Sequence, residues 1–254
     1  MSPHRLIGMV HLGPLPGAPN FAGDLRGVIE TALHDASTLA DAGFDAVMVE
    51  NFGDAPFFAD DVPKITVAGM TRAVDSVGKV GLPVGVNVLR SDPLAALGIA
   101  ASTGASFIRV NVLSGTMFTD QGPIVGKAAE VARFRAEHCP DVAVMADVFV
   151  KHATPPAGLT LEGATHDLSE RSGANAIIVS GPGTGAAVDI EDLTVVAGNT
   201  NLPVYVGSGV TAASVSATLE IADGVIVGTA TKPGGRVAAP VDAVLAKAIV
   251  TAAG

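Results

Sequence analysis

The chain has a single cysteine, Cys139, no tryptophan, one tyrosine and nine phenylalanines. One thiol excludes a disulfide framework, and a cytoplasmic location is the expectation that goes with it. Cys139, beside Pro140 at an expected helix end, reads as an inert, partly buried thiol rather than a nucleophile. With aromatics at 4% and no tryptophan, a base-stacking platform is not expected. Cations are scarce as well. Fifteen Lys and Arg against 25 Asp and Glu give a formal charge of −10, which argues against generic nucleic-acid binding. It does not exclude a small anion held by local N–H groups and a few cations. Hydrophobic residues reach 48%, yet no apolar run approaches the ~18 residues of a membrane helix, so no transmembrane segment is expected. Leu6–Val10 is too brief for the apolar region of a secretory leader.

What the chain does have is rhythm. Apolar pulses recur about every thirty residues: Leu6–Leu12, Ala46–Val49, Val84–Leu89, Phe107–Leu113, Val142–Val150, Ala176–Val179, Val204–Val206 and Val225–Val227. Helix-compatible segments lie between them, the last at 241–253. Asp24, Ser91-Asp92-Pro93 and Asp189 are helix-start signals, and Gly43, Gly104, Gly173 and Gly224 are stops before the next strand. Eight alternating βα units in a chain of this length predict one closed (β/α)8 barrel over residues 1–254, an α/β fold. An open doubly wound sheet would show a Gly-rich dinucleotide turn after strand one. Here that turn is Gly13-Pro14-Leu15-Pro16-Gly17, too rigid for the purpose.

In such barrels chemistry gathers at the C-terminal strand ends. Those ends carry His11, Glu50, Asn51, Asn87, Arg90, Arg109, Asn111, Asp147, Lys151, His152, Ser180, Ser208 and Thr229. Alternation points Arg109 and Asn111 inward, with Ile108 and Val110 toward the helices. A buried arginine needs a counter-charge, and either Glu50 or Asp147 can supply it. Glu50, Asp147, Lys151, His152 and His11 are the candidate catalytic groups; Asn51, Asn87, Arg109, Asn111 and Ser180 are candidate substrate ligands. Lys151 can serve as acid/base, phosphate ligand or Schiff-base former. Paired carboxylates near a buried arginine leave a divalent metal open, but no HxH or clustered acidic spacing marks such a site, and no cofactor is expected. His34, His138 and His166 fall on helices and His4 in a tail. Asp54, Thr119, Asp120 and Gln121 lie in the loops after strands two and four, which are long enough to act as lids. Those apolar, low-charge loops point to a homo-oligomer.

Two strands end in glycine and hydroxyl residues: Gly207-Ser208-Gly209 after the seventh and Gly228-Thr229 after the eighth. Glycine lets backbone approach an anion, and a helix N-terminus, here expected from Ala212–Ala222, supplies free N–H groups. Paired turns at these two strands predict a phosphate cradle and a phosphorylated small-molecule ligand. Gly181-Pro182-Gly183-Thr184-Gly185 offers further N–H groups nearby.

The words "IGMVHLGPLPGAPNFAG" at 7–23, "VMVENFGDAPF" at 47–57, "LPVGVNVLRSD" at 82–92, "FIRVNVLSGTMFTDQG" at 107–122, "MADVFVKHA" at 145–153, "IIVSGPGTG" at 177–185 and "VYVGSGVTAASV" at 204–215 resemble the BtpA/SgcQ family over nearly the whole chain. Phe149 departs from the histidine the resemblance leads one to expect, which removes one candidate acid/base or ligand. The resemblance implies a phosphate-binding TIM-type barrel, with a family name tied to photosystem I biogenesis in photosynthetic members. Two functions stand side by side: an enzyme acting on a sugar phosphate or nucleotide-like compound by isomerase, lyase or hydrolase chemistry, and a non-catalytic assembly or regulatory factor. Abundant polar strand ends favour the enzyme.

Overall fold

The computed structural model describes residues 4–254. Eight parallel strands close a barrel: β1 (Leu6–His11), β2 (Ala46–Glu50), β3 (Val84–Asn87), β4 (Phe107–Val110), β5 (Ala143–Val148), β6 (Ala176–Val179), β7 (Val204–Val206) and β8 (Gly224–Val227), with β8 pairing back onto β1. The helices are α1 (Leu25–Ala42), α2 (Lys64–Gly78), α3 (Pro93–Thr103), α4 (Ala128–His138), α5 (Leu161–Arg171), α6 (Ile190–Gly198), α7 (Val215–Thr218) and α8 (Ala243–Ala253). Among the described residues no helix is long and apolar enough to cross a membrane.

Side chains alternate in and out of the pleat, so each strand feeds two cores. Ile7, Met9, Met48, Phe107, Met145, Ile178, Tyr205 and Ile226 fill the barrel, whereas Val10, Val47, Val49, Ile108, Val110 and Ile177 meet the helices. Phe107 and Tyr205 occupy the space where Gly85 and Gly224 would otherwise carry a Cβ, an alternation of large and small residues that fills a narrow interior. Helix starts follow their signals. Asp24, Asp92 and Asp189 accept hydrogen bonds from the N–H groups of Gly27, Ala95 and Glu191.

Three expectations change. The segment 212–222 is a turn followed by a four-residue helix, because the Ser214 and Thr218 hydroxyls bond to nearby backbone and compete with the helical ladder. The helix that follows the seventh strand is thus only Val215–Thr218. Gly224 opens β8 rather than stopping a helix. The loop after β4 is a β-hairpin, Thr116–Thr119 with Gly122–Val125, joined by Ala153–Thr154 from the loop after β5. Met117 and Ile124 bury against Val112 and Val150, which makes this cover a packed sheet rather than a loose lid.

Candidate active site

Parallel register sets the site. His11 lies beside Glu50, Glu50 beside Asn87, and Asn87 beside Arg109. Four polar residues on adjacent inward positions thus form a row around half the barrel. Glu50 accepts a hydrogen bond from the Asn87 amide at 2.5 Å, and its other oxygen is 3.8 Å from His11 Nε2. Asp147, from β5, closes the row. Arg109 Nε and Nη2 donate to its two oxygens at 2.8 and 2.7 Å, Asn111 Nδ2 donates at 3.1 Å, and the Ser180 hydroxyl donates at 2.9 Å. Of the two counter-charges open to Arg109, it takes Asp147. The forked geometry is the strong form of such a pair.

Three buried polar atoms of this layer have no hydrogen-bond partner: His11 Nδ1, Asn87 Oδ1 and Asn111 Oδ1. Buried polar atoms are nearly always satisfied by protein or by water, so three together mark a place where water or a polar ligand can bind.

Burial, helped by the charges of Lys232, Lys151 and Arg109, pushes the His11 imidazole down to about 3 and keeps it neutral. Lys151 is lowered from the usual lysine value, chiefly by burial and then by Arg109. It reaches the mouth from a bent loop, with Phe149 at φ +47° and His152 at φ +56° on either side. Non-glycine residues rarely hold such angles, and they tend to do so near functional sites. The strand ends at Val148, so this turn and not the strand's alternation presents Lys151.

Above this layer, a cavity of about 30 Å³ is lined by His11, Glu50, Arg109 and Lys151 on one side and by Gly207, Ser208, Gly209, Gly228 and Thr229 on the other. The loop after β6 closes over it. Ser208 Oγ accepts from the Gly181 N–H and donates to the Ala186 carbonyl. At Gly209, φ is +71° and the Ala186 carbonyl fills the place of a Cβ. Gly185 rests against Thr229. The loop thus turns both an N–H group, from Gly181, and a carbonyl, from Ala186, toward Ser208, and a carbonyl toward Gly209. Among the described residues, no group of three or more His, Cys, Asp or Glu converges in a way that could hold a metal ion.

Residues 3–254 match the BtpA family. The chain belongs to the BtpA family. An uncharacterised protein of Pyrococcus horikoshii is 47% identical over 232 residues, 91% of this chain and 88% of that one. The photosystem I biogenesis protein BtpA of Synechocystis is 44% identical over 249 residues, 97% of this chain and 87% of its own. Among solved structures, tryptophan synthase of Mycobacterium tuberculosis superposes with a TM-score of 0.65 at 18% identity, over 99% of this chain and 93% of that one. Thiamine phosphate pyrophosphorylase of Pyrococcus furiosus gives 0.60 at 14%, over 99% and 96%. N-(5'-phosphoribosyl)anthranilate isomerase of the same organism gives 0.58 at 16%, over 98% of each chain. At these identities the likeness is one of fold.

In this BtpA-family barrel, six of the sequence-derived candidates do not line the mouth cavity: Asn87, Asn111, Asp147 and Ser180 belong to the polar layer beneath it, and Asn51 and His152 lie elsewhere. Asn51 is spent on structure: its amide donates to Asp54 and its Oδ1 accepts from the Leu89 N–H at 2.7 Å. His152 is exposed, and its Nε2 accepts from the Thr184 N–H at 3.3 Å. Its pKa is lowered by partial burial, then by the charges of Arg90 and Lys151. Ser180 serves the Arg109–Asp147 pair, with Arg109 Nη2 3.2 Å from its oxygen. Lys232 was not a sequence candidate, yet its charge reaches His11. It is buried, 3.3 Å from Asp35 and capped by the carbonyls of Val237 and Ala239. Nothing local signals that burial, because its partner lies 197 residues away in the chain.

Proposed function

We propose that this chain is an enzyme that binds a phosphorylated small molecule, a sugar phosphate or nucleotide-like compound, and moves protons on it in isomerase, lyase or hydrolase chemistry. One observation carries the reading. A single cavity at the C-terminal end of the barrel joins the two glycine turns to Glu50, Lys151, His11 and Arg109. In this reading Gly207, Ser208, Gly209, Gly228 and Thr229 hold the phosphate through backbone N–H groups and hydroxyls. Asn87 and Asn111, each with an unpartnered buried oxygen, accept from substrate hydroxyls. Glu50 and Lys151 exchange the proton, the lysine being brought toward the working range of a base by its burial. Neutral His11 serves as a hydrogen-bonding group and not as an imidazolium. Arg109 and Asp147 fix the floor against which the others are aligned.

A cavity of about 30 Å³ has room for little more than a water, against the ~300 Å³ or more of a typical ligand site. Loop 181–187 therefore opens to admit the substrate and closes on it. Two of the barrels superposed above are named for phosphorylated compounds, which supports the reading. A non-catalytic assembly factor, the role in the name of the Synechocystis relative, leaves the gathering of Glu50, Lys151, His11 and Arg109 at one cavity without a use. The test is turnover. Phosphorylated metabolites incubated with the wild type should yield at least one product by mass or NMR analysis, and Lys151→Ala should lower kcat by roughly a hundredfold or more. Equal turnover by the variant would remove Lys151 from the mechanism.

A further inference from the structure

Arg90 follows β3 and is only 5% exposed. The other buried cations have counter-ions, Arg109 with Asp147 and Lys232 with Asp35. Among the described residues, no carboxylate oxygen lies within 4 Å of Arg90. Its Nη2 donates to the carbonyl of Lys151, and its other side-chain N–H groups have no protein acceptor there. The charge of Arg90 is offset only from beyond contact distance, by Asp147, Glu50 and Asp120, which leaves the rest of its fork free for an acceptor in the space it faces.

It lines a cavity of about 360 Å³ together with Phe57, Asp120, Gln121 and His152. Gln121 Oε1 is buried without a partner, and Gln121 Nε2 holds the exposed Asp120 carboxylate at 2.6 Å. This cavity neighbours the mouth. Lys151 lines the mouth cavity and gives its carbonyl to Arg90. Phe52, also at the mouth, meets Phe57 edge-on with ring centroids 6.5 Å apart.

We infer that the Arg90 cavity is a second oxyanion subsite, which takes a carboxylate or second phosphate at the end of the substrate remote from the glycine turns. The guanidinium fork matches a planar or tetrahedral oxyanion, and Gln121 Oε1 accepts from a ligand hydroxyl. The substrate class narrows to small phosphorylated acids or bisphosphates. This inference rests on the reading of the mouth as a phosphate site.

The test compares three probes by calorimetric titration: glycerol 3-phosphate, 3-phosphoglycerate and propane-1,3-diol bisphosphate. The wild type should bind at least one of the two probes that carry a second anionic group roughly tenfold or more tightly than glycerol 3-phosphate, and Arg90→Met should abolish that margin. Arg90→Lys, which keeps the charge and loses the fork, should reduce it. The wild-type comparison stands even if a variant does not fold. Glycerol 3-phosphate bound as tightly as the other two overturns the inference and leaves the phosphate reading intact. A margin that survives Arg90→Met also overturns it. If none of the three binds, this inference falls, and the phosphate reading is decided by a wider set of sugar phosphates and nucleotides.

Discussion

Asp147 holds the floor of the site together, accepting hydrogen bonds from Arg109, Asn111 and Ser180. Removing one partner of a buried ion pair strands the other in a medium that solvates it poorly. Asp147→Ala should therefore cost about 3–5 kcal/mol in denaturant unfolding, and Arg109→Met combined with Asp147→Leu should recover most of it. Equal losses in the single and double variants would show that packing, not the stranded charge, sets the cost. His11 makes a pH prediction. It charges near 6.5 in the unfolded chain and only at about 3 in the fold, so the unfolded state binds more protons between those values. Stability must fall as pH drops from 6.5 toward 3, by up to about 1.4 kcal/mol per pH unit from this residue. His11→Asn should lose less stability between pH 7 and pH 4 than the wild type; parallel losses would mean that the imidazole is not held neutral. At this scale, sequence alternation was enough to turn Arg109 and Asn111 inward. It could not choose between Glu50 and Asp147 as the counter-charge, because the barrel's stagger decides that and a strand pattern does not contain it.

The strands were legible because buried parallel strands are short apolar runs, and Ala176–Val179 and Val204–Val206 carry the same bounds in sequence and structure. The elements that escaped were those whose partners lie far off in the chain. The hairpin at Thr116–Val125 is stabilised by Val112, Val150 and the strand Ala153–Thr154. The expected helix at 212–222 shrank under its own hydroxyls. The loop after β6 brings the Gly181 N–H to Ser208, as its glycines suggest, and adds the Ala186 carbonyl, which meets Ser208 and Gly209. That contact is testable. Gly209→Ala would both force a side chain into φ +71° and press it on the Ala186 carbonyl. Hydrogen exchange of peptides spanning 181–187 should then accelerate about tenfold or more, with the barrel strands unchanged. Unchanged exchange in the loop would mean that it is not held shut through Gly209.

At the scale of the whole molecule, a chain of net charge −10 gathers Arg90, Arg109, Lys151 and Lys232 around one end of its barrel. Asp35 and Asp147 pair directly with two of them, while Arg90 and Lys151 have no carboxylate in contact and meet Glu50 and Asp120 only across the cavities they line. Composition hid this, since it averages over the surface, whereas strand-end reading found three of the four cations. Lys232 needed the fold. The central claim is that this end binds a phosphorylated small molecule. Its most direct test is the melting temperature of the wild type with sugar phosphates and nucleoside monophosphates, each beside its dephosphorylated counterpart. A ligand at a hundred times its Kd adds about 2.7 kcal/mol, which is several degrees for a chain of this size. The account predicts at least one phosphorylated compound that raises Tm by that much while its counterpart does not. Across the set, no phosphorylated compound stabilising the protein more than its counterpart would contradict it.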